Sequence, residues 1–269
     1  MHYLSLFLLI LLSSCASSVQ QTDPVPVHDS FILDSKLLGE KRIINVWKPS
    51  EYLSTNSSFP VLYMADGGIK EDFPHLANTV AKLIKEKRIR PVILVGIENT
   101  QRRRDLTGFT SVEEDKKIAA VVGGSATFRD FIKEDLFPEI NGKYRATQEK
   151  SIIGESLAGL FIMETFFTSP EMFDNYIAID PSLWWNNHHL TSTAKDYLTK
   201  FPAGSQKKLW FASSKEPSTS EFTQQISQTL KSANLPNLKW NYSPAPTEEH
   251  STIFRAVKEK ALIWSLNGN

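Results

Sequence analysis

The chain is short of what cross-linking or membrane crossing would require. It holds a single cysteine, Cys15, so no disulfide can close within it. Neither sign of charge is in excess, with 30 Lys and Arg against 30 Asp and Glu. That balance gives composition no basis for nucleic-acid binding or for electrostatic docking on a membrane. The apolar run at residues 4–12 is well short of the roughly 20 residues that a spanning helix needs. There is no internal repeat, which excludes solenoids and propellers.

The same apolar run has the length of a secretory signal core. It leads into Leu12-Ser13-Ser14-Cys15, which resembles a bacterial lipobox. Residues 1–14 then read as a lipoprotein signal peptide, with Cys15 as the lipidated first residue of the mature chain. The other reading is an ordinary signal cut near Ala16-Ser17-Ser18, giving a secreted or periplasmic soluble protein. The position of the lone cysteine favours the lipobox. Acyl chains on Cys15 would anchor the protein in the bacterial cell envelope, on the periplasmic side or the cell surface, without spanning the membrane. Residues 15–29, with Pro24 and Pro26, read as an extended tether. Residues 30–269 are long enough for one domain with a sizeable core.

Within that domain short apolar runs alternate with amphipathic stretches. Residues 31–37 and 41–47 predict a hairpin around Gly39. Strands are predicted at 60–65, 91–97, 175–179, 208–212 and 238–242, and helices at 74–87, 190–200, 220–233 and 252–266. A further helix begins at Ser125, and residues 98–124 read as a long polar loop. This alternation implies a mostly parallel sheet with helices on both faces.

The stretch that organises the chain is Ser151-Ile152-Ile153-Gly154-Glu155-Ser156-Leu157-Ala158-Gly159-Leu160. An apolar strand rises into Gly154, a serine follows, and an amphipathic helix departs through Phe161 and Ile162. Strand, sharp turn and helix with a serine at the apex make the nucleophile elbow of an α/β-hydrolase. The second glycine of G-x-S-x-G is Ala158 here, which is still small enough for close packing.

A serine hydroxyl needs a base. Of six histidines, His250 alone follows the last predicted strand, where this fold carries its base. His75 opens a helix, and His188 and His189 read as surface-loop residues. The carboxylate that orients the base should end a strand between Ser156 and His250. Glu216 is the favoured candidate and Asp180 its competitor, since Asp-Pro is commonly a turn. Two backbone N–H groups should receive an oxyanion. Leu157 would supply one, and Gly68 (or Gly67) the other. Arg102 and Arg104, on the loop after an apolar strand, are candidates for an anionic substrate group. Trp184 and Trp185 are candidates for an acyl or aryl pocket.

Four blocks together resemble the putative-esterase family, which includes esterase D and the enterochelin-type siderophore esterases. They are Val61 to Gly68, Gly96 to Thr107, Gly154 to Leu160, and Ile179 to Trp185. The resemblance covers roughly residues 30–266 in order. It implies an α/β-hydrolase with a Ser-His-acid triad, here Ser156, His250 and Glu216, working without metal or cofactor on a small-molecule ester. Members cleave siderophore lactones, S-acyl thiols, and carbohydrate or aryl esters. The expected function is therefore a serine esterase, with siderophore trilactones as the leading substrate and a carbohydrate or aryl acylesterase as runner-up. A catalytically silent envelope binding protein is the reading from outside enzymology.

Overall fold

A computed structural model describes residues 23–204 and 206–267. Cys15, the expected signal 1–14 and the first part of the expected tether lie outside the described residues. The apolar runs form eight strands, β1 (Asp29–Ser35), β2 (Glu40–Trp47), β3 (Phe59–Met64), β4 (Ile93–Ile97), β5 (Ala146–Glu155), β6 (Asn175–Ile179), β7 (Lys207–Ser213) and β8 (Leu238–Pro244). They join in one sheet of order β1-β2-β4-β3-β5-β6-β7-β8. From β4 to β8 neighbours run parallel, and the β1–β2 hairpin lies antiparallel along one edge. That hairpin turns through Gly39 at φ 65, a backbone region that glycine enters without penalty.

The connections are helical. In chain order they are α1 (Glu51–Ser54), α2 (Phe73–Lys85), α3 (Arg102–Asp105), α4 (Glu113–Lys116), α5 (Ser125–Asp130), α6 (Phe137–Lys143), α7 (Leu157–Thr168), α8 (Trp185–Thr199), α9 (Pro217–Ala233) and α10 (Ile253–Leu266). A π-helical turn, Phe131–Leu136, joins α5 to α6. The polar loop expected at 98–124 thus contains α3 and α4. Strand side chains alternate between two cores. Leu62 and Met64 of β3 pack with α2 and α10, whereas Val61 and Tyr63 pack with α5, α6 and α7 on the other face.

Two features fix the sheet edge where the strands end. Gly67, just after β3, lies so close to β4 that a Cβ would come within 2.3 Å of the Gly96 Cα. The second feature is a buried ion-pair network behind the 98–124 segment. Arg42 of β2 and Asp105 of α3 are each 1% exposed and meet at 2.6 Å. Arg42 also contacts Glu40, while Arg104 pairs with Glu40 and Asp105 at 2.7 Å each. The Arg104 hydrogen bond holds the Glu40 carboxyl down to about 2. Arg104 is therefore spent on joining α3 to the hairpin, which removes it from the expected substrate-binding set.

Removing Asp105 takes from the buried Arg42 its one fully buried acid and leaves it the more exposed Glu40. Asp105→Ala should cost about 3 kcal/mol or more in urea unfolding, in keeping with one-sided removal from a buried pair. A loss below about 1 kcal/mol would mean that Arg42 is adequately solvated without Asp105.

Candidate active site

The elbow forms because β5 and α7 almost touch. A Cβ on Gly154 would lie 2.6 Å from the Ala158 Cβ, so glycine is required at 154 while alanine fits at 158. Ser156, between them, is held at φ 60 and ψ −119, a strained conformation for a residue with a side chain. Its backbone is clamped on both sides. The Ser156 amide donates to the Ile179 carbonyl at 3.0 Å, and the Ser182 amide donates to the Ser156 carbonyl at 3.1 Å. Strain and clamp together lift the hydroxyl out of the turn.

The Ser156 Oγ lies 3.0 Å from His250 Nε2, and His250 Nδ1 lies 2.6 Å from Asp180 Oδ2. With Nδ1–H donating to Asp180, Nε2 is left to accept the serine O–H. Ser182 adds a hydroxyl 3.4 Å from the Ser156 Oγ. The carboxylate facing His250 is thus Asp180, and the expectation of Glu216 there is corrected. Asp180 directly follows β6, the strand beside β5, whereas Glu216 follows the next strand out. Asp180 does precede a turn proline, but its backbone takes φ 44. Aspartate tolerates that region, so one residue serves both turn and site. Glu216 instead starts α9, its carbonyl accepting the Thr219 and Ser220 amides at 3.0 and 2.9 Å.

Leu157 opens α7, where amides have no intrahelical acceptor, as an oxyanion donor requires. The second expected donor is engaged. The Gly68 amide donates to Glu71 Oε2 at 2.7 Å, and the alternative, the Gly67 amide, donates to the Ile97 carbonyl at 3.0 Å.

The profile of the Putative esterase family matches residues 35–250. The chain belongs to that family. A ferri-bacillibactin esterase of Bacillus subtilis is 30% identical over 157 residues, covering 53% of this chain and 54% of that protein. The match thus spans about half of that relative's length. Among solved structures, an IroE-like serine hydrolase of Shewanella oneidensis superposes with TM-score 0.78 at 26% identity, over 89% of this chain and 79% of that one. A BES protein of Bacillus cereus superposes with TM-score 0.79 at 23% identity, over 93% and 99% of the two chains, a likeness of fold. The fold is the α/β-hydrolase fold.

The remaining expected residues divide between site and scaffold. Arg102 grips Asp66 with Nε and Nη2 at 2.5 and 2.8 Å, and its side chain stays 35% exposed. Trp185 is buried, donating its Nε1–H to the Gly108 carbonyl at 2.9 Å. It lines a 210 Å³ cavity with Phe109, Leu160 and Tyr197. Leu160 lies about one helical turn from Ser156. Trp184 is half-buried against Trp185, with ring centroids 6.0 Å apart. His75 is buried edge-on against Phe254, and burial holds its imidazole down to about 4. His188 stacks on Phe222 at 4.8 Å.

Electrostatics separate the acids at the site. Burial alone would raise the Asp180 carboxyl. Hydrogen bonds from His250, the Ser214 amide (2.7 Å) and Thr219 outweigh it and hold Asp180 below the usual carboxylate range. The same bond, donated by His250 to Asp180, raises the pKa of the His250 imidazolium against the opposing effect of burial. Glu155, beside the serine, behaves oppositely. Burial, with no hydrogen bond to its Oε1 among the described residues, pushes it up to about 7. Sequence reasoning passed over Glu155, because the x positions of an elbow motif carry no spacing signal.

His250 should therefore titrate above 6.5, its ordinary value. In an NMR titration Asp180→Asn should bring that pKa down, because its first cause is the Asp180 hydrogen bond. Glu216→Gln should leave it nearly in place. The reverse pattern would return Glu216 to the site.

Proposed function

We propose that the protein is a serine carboxylic-ester hydrolase. The observation that carries this is the continuous hydrogen-bonded chain from Ser156 Oγ through His250 to Asp180, at 3.0 and 2.6 Å, starting from a strained elbow. In this reading Ser156 Oγ attacks the ester carbonyl as its proton passes to His250 Nε2. Asp180 stabilises the imidazolium formed. The Leu157 amide receives the developing oxyanion, and the Gly68 amide joins it when the oxyanion displaces Glu71. Collapse expels the alcohol, which takes its proton from His250. Water then attacks the acyl-serine, with His250 as base, and restores the free hydroxyl. Strain at Ser156 also argues against a silent binding module, which has no use for a costly backbone conformation aimed at a histidine.

For substrate we propose a siderophore lactone. Support comes from the relative that is a ferri-bacillibactin esterase and from two fungal relatives. One of these is a siderophore triacetylfusarinine C esterase of Aspergillus fumigatus, 33% identical over 78 residues. The other is a siderophore enterobactin esterase of Emericella nidulans, 34% identical over 80 residues. Arg102 spends two of its donors on Asp66, and the other Nη is left for an anionic or catechol oxygen. Trp185, with the cavity beside Leu160, suits a flat apolar group. We further propose that Cys15 is lipidated and that the enzyme works from the cell envelope.

Two measurements follow. Steady-state hydrolysis of iron-free and ferric trilactones should exceed that of short aryl and sugar esters in kcat/KM. Ser156→Ala should abolish all of it, by roughly 10⁴-fold or more in kcat; a variant keeping a tenth of the activity would end the serine mechanism. For the anchor, metabolic labelling with an alkyne fatty acid should mark the wild type and not Cys15→Ser. Equal labelling of the two, or none in either, would refute lipidation.

A further inference from the structure

The balanced total charge conceals a segregated surface. The parallel strands carry Ser156 and Asp180 at their carboxyl ends. Their amino ends are basic. There a groove of 730 Å³ opens between α10 and the starts of β7 and β8, and its charged lining is Arg88, Lys208, Lys239, Lys260 and a single acid, Glu259. The segment that supplies Arg88, at the end of α2, adds Lys85 and Lys87 against Glu86, while its Lys82 pairs with Glu259 at 2.9 Å and its Arg90 with Glu149.

The lysines of this groove are not neutralised locally. Among the described residues Lys208 reaches only the Ser265 carbonyl, at 3.4 Å, and Lys260 only the Ser243 hydroxyl, at 2.8 Å. Lys239 is exposed and has no ion pair among the described residues. Arg88 alone faces carboxylates, Glu86 and Glu259, both at 3.6 Å. Lys208 and Lys239 stand opposite each other in the β7–β8 register. Like charges directly opposite in a sheet destabilise it. Burial, and then the Lys239 and Arg90 charges, hold the Lys208 ammonium below its usual value. An anion seated between Lys208 and Lys239 would offset that repulsion. Trp264, half-buried on the same lining, is a side chain suited to the headgroup layer of a bilayer.

The N-terminal segment argues for which anion. The described chain begins at Asp23, which binds Arg255 of α10 at 2.5 Å. The groove lining starts one residue further along that helix, at Ala256. Cys15 lies eight residues before Asp23, a reach of up to about 29 Å. The 14 residues of α10 span only about 21 Å. A lipid on Cys15 can therefore enter a membrane lying against the groove. A basic patch beside such an anchor adds electrostatic attraction to anionic headgroups and fixes which face meets the membrane.

We propose that the groove formed by Arg88, Lys208, Lys239 and Lys260 docks on anionic phospholipid headgroups, so that the active site at the other end of the sheet faces away from the membrane. The proposal leans on the Cys15 reading for its occupant but not on the esterase mechanism.

The test uses the full chain carrying Cys15→Ser, so that no acyl chain contributes. It is cosedimented with vesicles of phosphatidylcholine alone and with vesicles containing three tenths phosphatidylglycerol. Partitioning should be at least about tenfold stronger on the anionic vesicles at low salt, since each basic residue near such a surface is worth roughly fivefold. The preference should collapse at 0.5 M salt, roughly, where screening is nearly complete. Substituting all four groove cations by Gln should abolish it, with ester hydrolysis retained as proof of folding. The same four-charge change at Lys36, Lys41, Lys116 and Lys117 should preserve it. Equal binding to both vesicle types, or an anionic preference that survives the groove substitutions, would overturn the proposal. So would release by millimolar glycerol phosphate, which would make the ligand a free phosphate. If the groove variant fails to fold, loss of the preference in salt and its retention in the control variant decide the matter.

Discussion

Everything at the site depends on the near-contact between Gly154 and Ala158. With a Cβ-to-Cβ allowance of only 2.6 Å, β5 cannot pass into α7 through relaxed backbone. The strain falls on Ser156, at φ 60. The bonds that hold the strained residue come from the neighbouring β6 segment, through the Ile179 carbonyl and the Ser182 amide. Asp180 stands between those two. The parts that strain the serine therefore also fix the carboxylate, and His250 needs only to bridge them. The aromatic packing under α7, with Phe161 and Phe166 fully buried, offsets the strain.

The same geometry divides the acids by role. Asp180 is wholly buried and surrounded by donors, so it stays ionised and orients the imidazole. Glu155, one residue from the serine, is half-buried with one oxygen unpaired among the described residues, so its charge is unfavourable near neutrality. Asp66 is occupied by Arg102 and Asn99. Of these carboxylates only Asp180 is directed at His250, whose side chain is half-exposed.

Much of this was legible in the residues. Strand and helix order, the elbow, and the position of His250 after the last strand all follow from periodicity and one motif. What was not legible has physical causes. The choice of Asp180 over Glu216 turned on a positive φ before proline, which local preference disfavours and tertiary hydrogen bonds impose. Arg102, Arg103 and Arg104 look alike in sequence, yet Arg102 reaches Asp66, Arg103 the Ile118 carbonyl, and Arg104 the network around Arg42. The engagement of Gly68 by Glu71 is a contact three residues away whose geometry depends on the loop. Charge segregation between the two ends of the sheet cannot appear in a total that sums to zero.

The central claim is that Asp180, held by β6 beside the strained elbow, is the group that makes the Ser156–His250 pair reactive. The most direct measurement is kcat for Asp180→Asn and Glu216→Gln on one ester under identical conditions. The account predicts a loss of roughly 10²–10⁴-fold for Asp180→Asn, because the wrong tautomer of His250 is then held, and less than about threefold for Glu216→Gln. A larger loss at Glu216, or no loss at either position, would contradict it.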